Sequence, residues 1–131
     1  MLPAVRLPDI RPAAAAVLLA LAAASAQAHH PGSHAAREGG NRVRVEAVTV
    51  ATDDCTRIDS IRVGSPTVVT PPPGSTPITA RLKRGQGACA ARPTAVRAEQ
   101  VLELPASVQQ IFLYVEGVDG TLVGSERVPV R

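Results

Sequence analysis

The amino-acid sequence predicts a single all-β domain, and two observations carry this prediction. From residue 42 to residue 131 the chain contains 15 Val and 4 Ile but only 5 Leu, and side chains branched at Cβ favour strands over helices. Short apolar stretches are separated by Pro, Gly and Asp turns at intervals of roughly 8 to 15 residues, as in sandwiches and small barrels. With 131 residues and 45% hydrophobic side chains, the chain fits one packed domain.

Residues 1–28 have the composition of a signal peptide. Arg6 and Arg11 precede a short run rich in Ala and Leu, which ends in an A-x-A cleavage motif. This motif occurs in two frames, so cleavage is predicted after Ala28 or after Ala26. The chain that starts at residue 29 has 12 basic and 10 acidic side chains. We therefore expect a periplasmic or secreted protein with no transmembrane segment after processing.

Residues 29–41 are predicted to form a short flexible tail. The segment reads HHPGSHAAREGGN and has no apolar periodicity. It ends in two glycines, which are typical of loops. The folded domain is then expected over residues 42–131.

Two strands are predicted at the start of this domain. In residues 42–51 the valines change phase, which indicates a strand that has a bulge near Ala47 or is buried on both faces. Residues 55–63 fit either a strand or a short helical turn, and we favour the strand.

A proline-rich connection separates the next two predicted strands. A short strand is expected at residues 67–70. It precedes a loop at residues 71–77, where proline cannot donate to a β-ladder. Residues 78–83 alternate between apolar and polar side chains, as in a strand with one exposed face.

The last part of the domain predicts three further strands. Residues 94–104 fit a strand better than a helix, and the apolar run in residues 109–118 is typical of a central strand. Asp119-Gly120 is a hairpin signal, so residues 121–130 should return antiparallel. Together, the predicted strands and turns of residues 42–131 indicate a single antiparallel β-sandwich, immunoglobulin-like in general architecture, with a small β-barrel as the alternative.

The two cysteines, Cys55 and Cys89, are predicted to form a structural disulfide. An exported chain meets an oxidising compartment, and no third cysteine competes for the pair. The bond would close a loop of about 35 residues, which the chain-entropy model rates at just under 4 kcal/mol.

The sequence predicts a protein that is not an enzyme. All three histidines lie in the predicted tail, so the folded domain lacks the usual carrier of protons in catalysis. Asp53 and Asp54 are adjacent, in a place where aspartate favours a backbone turn. We therefore expect a non-catalytic exported module that binds a protein or an envelope component.

The alternative hypothesis is a metal carrier, because His29, His30 and His34 lie close to the predicted mature amino terminus. Cleavage after Ala28 would let the α-amine and imidazole of His29 bind Cu or Zn. Cleavage after Ala26 would make His29 the third residue of the mature chain, a position that suits a Cu or Ni site with deprotonated backbone amides. Incidental histidines in a polar tail are the simpler interpretation, so no cofactor is expected.

Exposed turns and charged strand ends are the expected contact sites for a partner. The selected residues are Asp119, Gly120, Arg81, Lys83 and Arg84, together with the loop at residues 71–77. Nucleic acid is not expected as a partner. The processed chain carries a net charge of only +2, and its aromatic side chains are limited to Phe112 and Tyr114.

Overall fold

The computed structural model describes residues 32–131, which form seven β-strands. The predicted signal peptide (residues 1–28), His29 and His30 lie outside the described residues. The strands are β1 (His34–Gly39), β2 (Arg42–Ala51), β3 (Thr56–Val63), β4 (Pro77–Arg84), β5 (Thr94–Glu103), β6 (Gln110–Glu116) and β7 (Leu122–Pro129). In this part of the chain no helix is long and apolar enough to cross a membrane.

The strands form two sheets that pack face to face as a β-sandwich, which confirms the predicted fold class. One sheet has the order β1-β2-β5 and the other has the order β3-β4-β6-β7, and over residues 32–131 they do not close into a barrel. Neighbouring strands are antiparallel with one departure from the expected pattern: β4 and β6 run parallel. Because β5 lies in the opposite sheet, the chain crosses the sandwich twice between β4 and β6 and returns in the same direction.

The hydrophobic core lies between the inner faces of the two sheets. From the three-stranded sheet, β2 contributes Val43, Val45 and Ala47, which are all at most 1% exposed and alternate as one face of a strand requires. The four-stranded sheet contributes aliphatic side chains from all four of its strands. The buried ones are Ile61, Ile78, Ala80, Leu82, Ile111, Leu113, Val115 and Val128. The inward positions of Ile78, Ala80 and Leu82 and the central position of β6 are therefore confirmed. The predicted exposed face of residues 78–83 is wrong at Thr79, which is buried and whose hydroxyl donates to the Gly64 carbonyl at 2.7 Å.

Two local predictions are confirmed and two are wrong. Residues 55–63 and 94–104 contain strands β3 and β5 rather than helices. Both alternatives for residues 42–51 are wrong: β2 pairs with β5 without a bulge from Arg42 to Ala51, and its outer face is not buried, since Val50 is 47% exposed. The predicted strand at residues 67–70 is instead part of a loop.

The predicted flexible tail is wrong over residues 34–39, which form strand β1. Ala35 is 4% exposed and belongs to the core. The backbone of β1 pairs with β2 and also exchanges hydrogen bonds of 2.6 and 3.0 Å with Arg131. The two glycines end the strand and begin the turn to β2, with φ values of 133° at Gly39 and 54° at Gly40, which glycine adopts without steric cost. The ordered domain therefore begins by His34 rather than at Arg42.

Candidate functional site

Three loops meet at one end of the sandwich, which we call the cleft end. They are residues 52–55 between β2 and β3, residues 85–93 between β4 and β5, and residues 117–121 between β6 and β7. The strand directions require this meeting, because β2, β4 and β6 all end where β3, β5 and β7 begin.

A cleft of about 400 Å³ opens between the first and the third of these loops. Its lining residues are Val50, Ala51, Thr52, Asp53, Thr56, Leu82, Arg84, Gly117, Val118, Asp119 and Val123. Ala51 and Leu82 are buried and belong to the inner faces of the sheets, whereas Val50, Val118 and Val123 are 47%, 51% and 51% exposed. The cleft therefore joins the edge of the core to an exposed apolar rim.

Asp53 organises the first loop of the cleft end. Its Oδ1 accepts hydrogen bonds of 2.9 Å from the Cys55 amide, the Thr56 amide and the Thr56 hydroxyl. These bonds, with the Thr56 hydroxyl first, hold the pKa of Asp53 below its ordinary value. Its second oxygen lies 3.6 Å from Nε of Arg84. The carboxylate is thus an ionised turn residue, as expected for its place after β2.

The disulfide between Cys55 and Cys89 is present, which confirms the predicted pairing. It joins the first loop to the second, and Asp54 reinforces the junction. The Asp54 amide donates to the Ala90 carbonyl at 3.2 Å, and the Ala90 amide donates to Asp54 Oδ1 at 2.9 Å. Arg92 contacts the other carboxylate oxygen at 3.3 Å. Covalent and polar bonds therefore hold the loop at residues 85–93 against the start of β3.

The β6–β7 turn also lines the cleft. Asp119 Oδ1 accepts hydrogen bonds from the hydroxyl and the amide of Thr121, at 2.7 and 3.2 Å, and these bonds lower the pKa of Asp119. Gly120 has a φ of 86°, a conformation that side chains with a Cβ rarely adopt. At Gly117, a Cβ would lie 2.9 Å from Val123 Cγ2. The turn is therefore closely packed where it borders the cleft.

The structure brings the selected charged residues to the cleft end. Arg84 and Asp119 line the cleft, while Arg81 and Lys83 line a hollow beside Val118. Nε of Arg81 also lies 3.5 Å from the Glu116 carboxylate. In contrast, the loop at residues 71–77 lies at the opposite end, where β4 begins.

The predicted metal ligands are not assembled in the described part of the chain. His34 lies on β1 and is exposed, and the other two histidines are outside the described residues. Within residues 32–131, the one group of three candidate ligand atoms consists of Asp54, Cys55 and Cys89. Because the two sulfurs are bonded to each other, they are not free to act as thiolate ligands.

The apolar rim is the part of the site that sequence reasoning missed. Val50 belongs to the valine pair whose change of phase suggested a bulge, but it lies on the outer face of a regular strand. Val118 lies two residues after the end of β6 and resembles the core residues of that strand in type. The exposure of these valines depends on where the strands end in the assembled sheets, and local sequence patterns do not predict those ends.

Comparison of the chain with profiles of protein families, with curated protein sequences and with solved structures gave no match.

Proposed function

We propose that this protein is an exported, non-catalytic β-sandwich module that binds a protein or another envelope component through its cleft end. The observation that carries the proposal is the exposed apolar rim formed by Val50, Val118 and Val123 around a cleft that reaches the core. Apolar side chains grouped around a concave opening and bordered by charges are typical of interaction sites.

The chemistry of the carboxylates favours binding over catalysis. The two that line the cleft, Asp53 and Asp119, accept hydrogen bonds within their own turns and have lowered pKa values. A group that stays ionised at neutral pH is a poor general acid. Residues 42–131 contain no histidine that could replace them.

The form of the cleft indicates the kind of partner contact. Apolar side chains of a partner would cover the three exposed valines, while Arg84 and Asp119 at the rim would contact polar groups and set the orientation. The disulfide and Asp54 restrain one bordering loop, residues 52–55, before any partner arrives. Such restraint lowers the entropic cost of binding.

Capture of partners from an envelope extract tests this proposal. The bait is the processed chain, compared with one variant in which residues 117–121 are replaced by a Gly-Ser sequence of equal length. A matched control carries the same kind of replacement at residues 71–75, in the loop at the opposite end. We expect a specific partner on the wild type and the control that is lost from the first variant. Equal capture by all three chains, or capture by none, would contradict the proposal.

A further inference from the structure

A second groove lies beside the cleft on the four-stranded sheet. It measures about 570 Å³ and is lined by Asp54, Cys55, Arg57, Lys83, Arg84, Gly85 and Gln86. Arg57 projects from β3, whereas Lys83 and Arg84 come from the end of β4. Three cationic side chains from neighbouring strands therefore border one opening.

Arg57 and Lys83 are direct cross-strand partners in the β3–β4 register. Both side chains are exposed, and among residues 32–131 neither has an ion-pair partner within 4.0 Å. Like charges placed directly opposite one another destabilise a sheet. This pair therefore costs stability unless something neutralises it.

In the other sheet, side chains of the same chain neutralise a cross-strand pair of like charges. Glu46 and Glu99 are also direct cross-strand partners of like charge, in the β2–β5 register. There Arg97 pairs with Glu46 at 3.7 Å, and Arg44 pairs with both Glu99 and Glu38. Each carboxylate of that pair has its own counter-charge, which the Arg57–Lys83 pair lacks in the described residues.

The acidic side chains near the groove are already engaged or too distant. Asp54 accepts from the Ala90 amide and contacts Arg92. Asp53 contacts Arg84. Asp59 lines the neighbouring hollow with Lys83 but lies beyond ion-pair distance of it. The groove therefore keeps an excess of positive charge.

We infer that this groove binds a phosphate group, which supplies the missing counter-charge. A phosphate dianion placed between Arg57 and Lys83 neutralises both, and the planar guanidinium can bond two of its oxygens. The group could belong to a soluble phosphate ester or to a lipid headgroup, since the chemistry is the same. The inference rests on the proposed function, because Arg84 borders both openings and a phosphate here would be the charged part of the partner.

Thermal unfolding with inorganic phosphate as the probe tests the inference. The processed chain is compared with Lys83→Gln and with the control Arg62→Gln, which removes an exposed β3 cation whose cross-strand partner is Thr79. Without phosphate, Lys83→Gln should unfold at the same temperature as the wild type or higher, because the repulsion is relieved. Its apparent affinity for phosphate should fall about tenfold, whereas Arg62→Gln should behave as the wild type.

Vesicles identify the source of the phosphate. If the group belongs to a lipid, the chain should sediment with phosphatidylglycerol vesicles and be released by inorganic phosphate, and Lys83→Gln should bind them more weakly. If the phosphate group belongs to a soluble ester, inorganic phosphate should raise the unfolding temperature, and the chain should not sediment with vesicles.

Two results would overturn the inference. One is an equal response to phosphate and to sodium chloride at the same ionic strength, since that is simple screening. The other is an equal loss of affinity in Lys83→Gln and Arg62→Gln. If either occurs while residues 117–121 are still required for partner capture, the groove is not a phosphate site and the proposed function stands. Failure of both experiments removes both proposals.

Discussion

The two ends of the sandwich are closed in different ways. At the end that contains the proline-rich loop, the proline end, the Arg37 guanidinium donates to the carbonyls of Gly40 and Val108 at 2.8 Å and of Pro105 at 3.2 Å. There Leu104 is buried in the core. At the cleft end, the disulfide and Asp54 join the loops at residues 52–55 and 85–93, and a cleft remains between residues 52–55 and the loop at residues 117–121.

From this difference, we assign a structural role to the proline end and a contact role to the cleft end. The proline end uses backbone bonds such as Leu104 N–H to the Asn41 carbonyl at 2.7 Å. A hollow of about 320 Å³ also lies there beside Leu104, but no exposed valine lines it. At the cleft end, Leu82 is at once a core residue and part of the cleft wall. The feature particular to the cleft end is therefore the group of three exposed valines that borders its opening.

Removal of the disulfide should have the largest effect on stability. Cys55→Ala combined with Cys89→Ala opens a closed loop with a sequence separation of 34 residues and should cost about 2 to 5 kcal/mol. Urea denaturation measures the loss, and hydrogen exchange locates it. The Ala90 amide, bonded to Asp54, should exchange faster, whereas the Leu104 amide should change only as much as global stability does. A loss below about 1 kcal/mol would show that the polar bonds alone hold the cleft end.

Arg37→Ala should have the next largest effect, and it acts on the proline end. The change leaves three carbonyls without their charged donor and should cost about 1 to 3 kcal/mol. Arg42→Ala is the matched control, since Arg42 is an exposed neighbour at the start of β2 and should change stability by about 0.5 kcal/mol or less. If the two variants unfold at the same urea concentration, the proline end is not closed by Arg37.

A pair of glycine substitutions should separate stability from binding. Gly120 at the cleft end and Gly74 at the proline end have φ values of 86° and 77°, and both have open space where a Cβ would lie. Gly120→Ala and Gly74→Ala should each cost about 1 kcal/mol through backbone strain. Only Gly120→Ala should weaken partner capture, because its turn borders the cleft. Equal capture by the two variants would count against the cleft end as the contact surface.

The smallest expected effect is a change in acid sensitivity at Asp53. Its pKa is lower in the folded chain than its ordinary value, so its contribution to stability is present above about pH 4 and is lost as pH falls through the folded pKa. Asp53→Asn should therefore flatten the fall in unfolding midpoint between about pH 5 and pH 2. Thr56→Val removes the main hydrogen-bond donor to the Asp53 carboxylate and should flatten this fall in part. Identical profiles for all three chains would contradict this role.

Local patterns predicted the strands that carry their own signal. The alternation in residues 78–83 and the apolar run in residues 111–115 correspond to strands β4 and β6. Strand β1 was missed because the segment HAAREG buries Ala35 as its one core side chain and depends on pairing with β2 and with Arg131. Because those partners are distant in sequence, local periodicity does not predict the pairing.

The candidate site was predicted in part. Arg84, Asp119 and Gly120 were selected as exposed charged or turn residues, and they lie at the cleft end. Neither the valine rim nor the cross-strand pairing of Arg57 with Lys83 was expected. Both depend on strand register and on where the strands stop, which only the assembled sheets define.

Site-directed photocrosslinking compares the two ends most directly. A photoreactive amino acid is placed at Val118, which is 51% exposed at the cleft end, or at Val68, which is 65% exposed in the proline-end loop. Each chain is expressed with its native amino terminus and irradiated in intact cells. We expect a specific adduct from position 118 and none from position 68. An adduct from position 68 alone, equal adducts from both, or none from position 118 would contradict the assignment of the cleft end as the binding surface.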